Sequence, residues 1–382
     1  MLIYIILTII VLLVIGYLYY KVKFQFWSRQ PVFHFHNIWY WYDPPGIIQK
    51  DKPQMDKFYN SYIEFDSYDN YSTEKKELFR EFIKDNFLPH KTEHYIPTDK
   101  SINSYLESHN DKAYLSLNYK NRLSPHKNII SCMTTRPLEC YVNNDIFTLY
   151  YVDYLCVHSK ERKKGIAPVT IYSHYVNHRI KHDNAVFFFK REGETTLIVP
   201  LMVYKTYFYD ISRWDKEVKF DQPNINVYKV HSQNDNHYFH FIKKLRQSFD
   251  CVIHPSVSNV INLCTNNELF IFILMIGKED KALYVFRDPH ITYTGKSSIE
   301  LVCSFNGNIT KELFTLGFFN CINQINKVKP FDVLLIENTS HNDIILKTIS
   351  IRYQSFEEAL ASYYFYNYGS LPILSNNVFC FN

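Results

Sequence analysis

The stretch Asp153-Tyr154-Leu155-Cys156-Val157-His158-Ser159-Lys160-Glu161-Arg162-Lys163-Lys164-Gly165-Ile166-Ala167-Pro168 reads as a strand that runs through a basic, glycine-containing turn into a helix. Tyr151 to Val157 is strand-like, and from Ala167 onward Val169, Tyr172, Val176 and Ile180 recur at helical spacing. Pro168 stands where a first helical turn tolerates it. In Arg162-x-x-Gly165-x-Ala167 the small residues let the backbone approach a pyrophosphate. The helix that follows presents its positive end, and basic side chains balance the charge. That is the chemistry of a coenzyme A site. Taken alone, the same six residues also suit an ordinary strand-to-helix turn with solvated lysines.

The chain has 382 residues, 46% of them hydrophobic, enough for about two domains of roughly 150 residues each. Its 17% aromatic content suits walls around a long apolar ligand, and equally a general drift toward Tyr and Phe. Net charge is only +4, and Arg162 to Lys164 is the one dense basic run, which argues against nucleic acid as a partner. None of the eight cysteines forms a C-x-x-C pair, and most stand in apolar runs. This argues against a metal site or a disulfide framework and for buried free thiols in a reducing compartment.

Met1 to Tyr20 carries no charged side chain and matches the roughly 20 residues needed to span a bilayer. No Lys or Arg precedes it and no small-x-small site follows, so it reads as an anchor rather than a cleaved leader. Lys21 and Lys23 place the remainder on the cytosolic side of a single-pass membrane protein. A helix docked on the protein body is the other reading.

Lys23 to Asp51, aromatic and punctuated by Pro31, Pro44 and Pro45, reads as an extended arm. Helices are expected over Glu74 to Phe87, Ala167 to Ile180, His240 to Phe249 and Ile309 to Ile325, the last with Phe314, Phe318, Ile322 and Ile325 on one face. Strands are expected within Ile129 to Val157 and Ala185 to Tyr209, and over Leu269 to Ile276, Lys281 to Phe286 and Phe331 to Ile336. Strands, a helix and another strand, twice over, predict an α+β fold of two related units. The boundary falls near Pro223. Residues 1–20 form the anchor, 21–222 the first unit and 223–382 the second. The second unit lacks a counterpart of the glycine turn, so one cofactor site is expected. Polar Ser232 to Asn236 and Asn338 to Asn342 read as surface loops.

Tyr154-Leu155-Cys156-Val157-His158, the basic turn and Ala167-Pro168-Val169 together resemble the signature of eukaryotic N-myristoyltransferases. Phe24-Gln25-Phe26-Trp27-Ser28-Arg29-Gln30-Pro31-Val32 is similar to that family's aromatic segment that wraps the acyl-CoA. Weaker echoes stand at Glu217-Val218-Lys219-Phe220, Phe331-Asp332-Val333 and Tyr363-Tyr364-Phe365-Tyr366-Asn367-Tyr368. The resemblance implies two halves of the N-acetyltransferase (GNAT) type related by pseudo-twofold symmetry. The implied donor substrate is myristoyl-CoA, with no separate cofactor, and the implied acceptors are peptides and proteins with an N-terminal glycine. By resemblance, Gln25, Phe26, Trp27, Tyr154, Leu155, Cys156, Val157, Lys163, Gly165, Ile166 and Ala167 contact the acyl-CoA, and Arg162 adds phosphate charge. His158 also matches, although a lone histidine beside a sheet is often structural. The backbone N–H groups of Tyr154 and Leu155 form the oxyanion hole, where such donors lower a barrier by roughly 3 kcal/mol each. The carboxylate of Asn382 is the implied base, and apolar Val378-Phe379-Cys380-Phe381-Asn382 suits a buried end.

The acceptor side departs from the family. Phe187-Phe188-Phe189-Lys190, Tyr207-Phe208-Tyr209-Asp210, Leu334-Leu335-Ile336-Glu337 and Phe356-Glu357-Glu358-Ala359 replace its motifs. Asp153 stands for an asparagine, either as another base or as the end of a hydrogen-bond chain. Gly165 replaces a basic residue and moves the turn toward the wider superfamily, so an N-acetyltransferase stays open, as does an acyl-CoA or acyl-peptide binder without turnover.

Overall fold

The computed structural model of the chain describes residues 1–87, 93–121, 129–194, 197–212, 214, 220, 223–231 and 235–382. Ile129–Val142 and Asp145–Val157 pair antiparallel around Asn143 and Asn144. Their φ values of 53° and 66° are the left-handed pair that a two-residue hairpin turn needs and asparagine tolerates. Helix Ile166–Lys181 returns the chain to Val186–Glu192, which lies parallel to the hairpin's second strand from Leu149↔Val186 to Tyr151↔Phe188.

The second part repeats the plan. Glu279–Arg287 pairs antiparallel with Lys296–Asn306, helix Lys311–Val328 crosses over, and Val333–Glu337 lies parallel from Ser298↔Val333 to Leu301↔Ile336. Phe314, Phe318, Ile322 and Ile325 are buried together on that helix, as their spacing predicts. In both units the parallel pairing stops early, past Tyr151 in one and past Leu301 in the other. The longer strand then runs on, and the sheet opens a V.

Among the described residues, sixteen strands join in one sheet whose centre interlocks the units. Glu357–Tyr366, from near the end of the chain, lies between Val186–Glu192 and Met202–Asp210, and the latter pairs onward with Val333–Glu337. Val378–Cys380 runs parallel to Cys251–His254, which joins Ile129–Val142, and Val378 to Asn382 are all buried. All eight cysteines are buried and unpaired.

Asn338 to Asn342 is not a surface loop. Thr339, Ser340 and Asn342 are buried and fill the V of the second unit. Ser340 Oγ accepts the Ser304 N–H at 2.9 Å, and Thr339 Oγ1 donates to the Val302 carbonyl at 2.7 Å. Asn342 Nδ2 donates to the same carbonyl at 3.2 Å, and His341 Nδ1 accepts the Asn306 N–H at 2.8 Å. Their polarity serves backbone groups that the parallel partner no longer reaches, not water. Of Ser232 to Asn236, only Asp235 and Asn236 lie within the described residues, where they open helix Asp235–Ser248. Glu217, Val218 and Lys219 lie outside them.

The arm from Lys23 to Asp51 is largely irregular, with a five-residue helix at Ile38–Tyr42. Distant side chains hold it down. Asn367, at φ 66°, donates its N–H to the Pro31 carbonyl at 2.6 Å and accepts the Gln49 N–H at 2.7 Å. Buried Arg179 donates to the carbonyls of Gln49, Lys50 and Asp51 at 2.8, 3.1 and 3.0 Å. Helix Leu2–Lys23, with mean hydropathy 2.7, is long and apolar enough to cross a membrane. Its last turn rests on the body, where the Tyr20 hydroxyl bonds to His34 Nδ1 at 3.0 Å.

Candidate functional site

In the first unit an apolar cavity of about 350 Å³ occupies the V, lined by Trp27, Val152, Leu155, Phe187, Phe189 and Tyr366 among others. A second, polar cavity of about 280 Å³ is lined by Tyr95, Tyr105, Arg136, Tyr154, Arg287 and Glu300 among others. Phe87, Asp153 and Lys190 line both, so the two cavities meet across these three side chains.

The strand register sets what faces the junction. The His158 N–H donates to the Ile130 carbonyl, so ladder alternation makes Cys132↔Cys156 the next hydrogen-bonded pair. Leu155, opposite Met133, then turns its N–H away from that partner and toward the side where the parallel strand has departed. A register shift follows between Met133 and Thr135, where Asp153 and Tyr154 bulge opposite Thr134. The Tyr154 N–H is taken by the Thr134 hydroxyl at 3.1 Å. Of the two expected oxyanion donors, Leu155 faces the gap and Tyr154 has an internal acceptor. The Tyr154 hydroxyl pairs with that of Tyr95 at 2.8 Å, and burial raises its pKa far above the ordinary value.

The polar cavity is built around Arg136, Lys190 and Arg287 and the carboxylates that pair with them. Arg136, fully buried between the rings of Tyr105 and Tyr151, donates its Nε to both oxygens of Asp153 at 3.0 Å. Burial raises the Asp153 pKa, with Arg136 opposing. Lys190 Nζ sits 2.8 Å from Glu337 and 4.0 Å from Glu300. Burial works against its charge, but Glu337, Glu300 and Glu192 outweigh burial and keep it protonated. Arg287 donates to Glu300 at 2.6 Å and reaches the fully buried Asn382, 2.8 Å from its Oδ1 and 3.4 Å from its main-chain oxygen. Asn382 itself lines neither cavity.

The glycine turn has the conformation its residues suggest. Lys163 and Gly165 adopt φ of 62° and 76°, a left-handed alternation that points N–H groups into a concavity, and Gly165 caps the helix without a side-chain bond. The first N–H groups of Ile166, Ala167 and the residues after them therefore lack intrahelical acceptors, as at any helix start. Arg162 braces the turn, donating to the carbonyls of Val157 at 3.1 Å and Asn86 at 2.7 Å. Glu161 bridges Lys120 and Lys164, whose hydrogen bonds pull its carboxyl down to about 2. His158 Nδ1 accepts the Lys160 N–H at 3.2 Å, a structural role.

Among the other expected donor contacts, Trp27 stacks on Phe189 with centroids 5.9 Å apart, and Phe26 is buried against Phe58. Gln25 accepts from Lys57 at 3.1 Å on the surface. Cys156 is buried opposite Cys132, and burial pushes its thiol up to about 12, which removes it as a nucleophile. Val157 ends the strand above the turn. Sequence reading misses Arg136, Arg287 and Glu300 as site residues. Their one signal is a lone charge inside an apolar strand, as in Val285-Phe286-Arg287 and Ile299-Glu300-Leu301.

No family model matches the sequence, and no curated protein matches it. Solved structures do. Three of Saccharomyces cerevisiae N-myristoyltransferase with bound myristoyl-CoA, one also with inhibitors, each give a TM-score of 0.71 at 14% identity. They cover 92% of this chain and 94%, 90% and 92% of theirs. A tandem GNAT protein from the clavulanic acid biosynthesis pathway gives 0.51 at 10% identity, covering 81% of this chain and 100% of its own. The likeness is one of fold: the chain has the architecture of paired N-acetyltransferase-like units.

Proposed function

We propose that this chain transfers an acyl group, myristoyl by its resemblance, from acyl-CoA to the amine of an N-terminal glycine. The observation that carries the reading is the meeting of an apolar cavity and a charged one at Asp153 and Lys190, beside a bulged strand whose Leu155 N–H faces the gap. The apolar cavity, lined by Trp27, suits the acyl thioester, and the Lys163 to Ala167 turn suits its pyrophosphate. Residues 21–222 carry the donor side and 223–382 most of the acceptor side. The deprotonated amine nitrogen attacks the thioester carbon, the C–S bond breaks, and the proton shed by the new amide nitrogen goes to the sulfur, so that coenzyme A leaves as its thiol. Leu155 N–H stabilises the oxyanion, and a carboxylate takes the ammonium proton. Helix Leu2–Lys23 holds the enzyme on a membrane as a single-pass anchor with its body in the cytosol.

Two carboxylates are candidates to take the proton. The resemblance points to Asn382, which Arg287 holds. Asp153 has a specific observation in its favour: it lies where the cavities meet, with a pKa raised by burial. Mass spectrometry of N-glycyl peptides incubated with myristoyl-CoA and the full chain should show a tetradecanoyl adduct. Acyl-CoA binding with no adduct across a diverse peptide set would leave a binder without turnover. Extending the chain beyond Asn382 should abolish turnover and spare acyl-CoA affinity if that carboxylate is the base. Asp153→Asn should do so if Asp153 is.

A further inference from the structure

Beside the end of the apolar helix, the chain displays an aromatic surface that the folded protein does not cover. Phe35, Ile38, Trp39 and Tyr42 are 64%, 76%, 81% and 88% exposed, and no residue of the short helix Ile38–Tyr42 is buried. The surface is tied to the body. Trp41 Nε1 donates to the Phe35 carbonyl at 3.1 Å, its ring packs 5.0 Å from buried Phe33, and Phe33 and Phe35 bond to Val199 and Leu197.

Residues alternate across this strand-like run. His34 and His36 face the end of helix Leu2–Lys23, with Tyr17 and Tyr20 rings 5.3 and 5.5 Å from His36. Phe35 turns outward. The helix is about 33 Å long at 1.5 Å per residue, against a hydrocarbon thickness of about 30 Å, so a span starting at Leu2 ends near Lys21 and Lys23. Those lysines belong at the headgroup level, and the aromatic surface follows directly on His34 and His36, which pack against the same turn, so it lies at that level too. Trp and Tyr partition there, and the interface buries an apolar face that lies beside a span.

We infer that Phe35, Ile38, Trp39 and Tyr42 form a second membrane contact that lies in the lipid interface and fixes the tilt of the body on the bilayer. The inference rests on the reading of Leu2–Lys23 as a span. The arm from Phe24 to Val32 would then be bracketed by two lipid contacts, which holds Trp27 and the apolar cavity near the membrane surface.

The test uses the full chain in phosphatidylcholine vesicles, with an environment-sensitive fluorophore on a cysteine at Ile38→Cys, Ile10→Cys or Ile351→Cys. The native thiols are buried, and Ile351 is an exposed apolar control at 86%. Lipids carrying a nitroxide near the headgroup should quench the label at 38 several-fold more than at 351, with a blue-shifted emission. A label at 38 that behaves like the one at 351, while 10 is quenched by nitroxides deeper in the bilayer, overturns the second contact alone. If 10 is unquenched too, the span reading falls and the inference falls with it.

Discussion

Glu300 stands inside an apolar strand, with Arg287 paired to it and Lys190 close by. Burial would raise its pKa, but Arg287 and Lys190 outweigh burial and hold the carboxyl at about 2, below the ordinary 4.5. A depressed carboxyl contributes stability that is complete above the ordinary value and is lost as pH falls from 4.5 toward 2. Glu300→Gln leaves Arg287 charged and buried, so urea unfolding at neutral pH should show a loss of roughly 3–5 kcal/mol, with a flatter acid limb. Arg287→Met with Glu300→Met should cost less than the single change, and equal losses would show that the pair is not what matters. These residues were hidden because their partners are set by strand register. Lys190 meets Glu337 across 147 positions of sequence. The turn was legible because its chemistry is local, in Lys163 to Ala167.

The turn gives the prediction that belongs to an element. Gly165 has φ of 76° with nothing within 4 Å of an added Cβ, so Gly165→Ala meets no steric clash and only backbone strain of roughly 1–2 kcal/mol. Calorimetric titration should show weaker coenzyme A binding, with kcat for acyl transfer little changed at saturation. Unchanged affinity would mean that the turn does not cradle the phosphates. Elements with a clear period were readable, as with the helix carrying Phe314 to Ile325. The strands Lys296–Asn306 and Glu357–Tyr366 were not, since both open on polar residues and owe their form to neighbours on each side. Asn338 to Asn342 misled for a related reason. Its polar side chains answer to the backbone of an opened sheet rather than to water.

Length alone suggests two domains, and the sheet argues against their unfolding separately. The first unit's edge is completed by Glu357–Tyr366 and the second's by Met202–Asp210, so each unit donates a strand to the other. Cys251–His254 adds a further crossing, pairing with Ile129–Val142 on one side while Val378–Cys380 lies on its other. Separated at residue 222, each piece would expose an unpaired strand edge and an apolar face, conditions that favour aggregation over autonomous folding. We therefore expect the detergent-solubilised full chain to melt in one calorimetric transition whose van't Hoff and calorimetric enthalpies agree. Residues 1–222 and 223–382 expressed alone should be insoluble, and co-expressed they should recover a complex. Two resolved transitions, or a soluble and cooperatively folded 223–382 fragment, would show that the central strands join two independent domains.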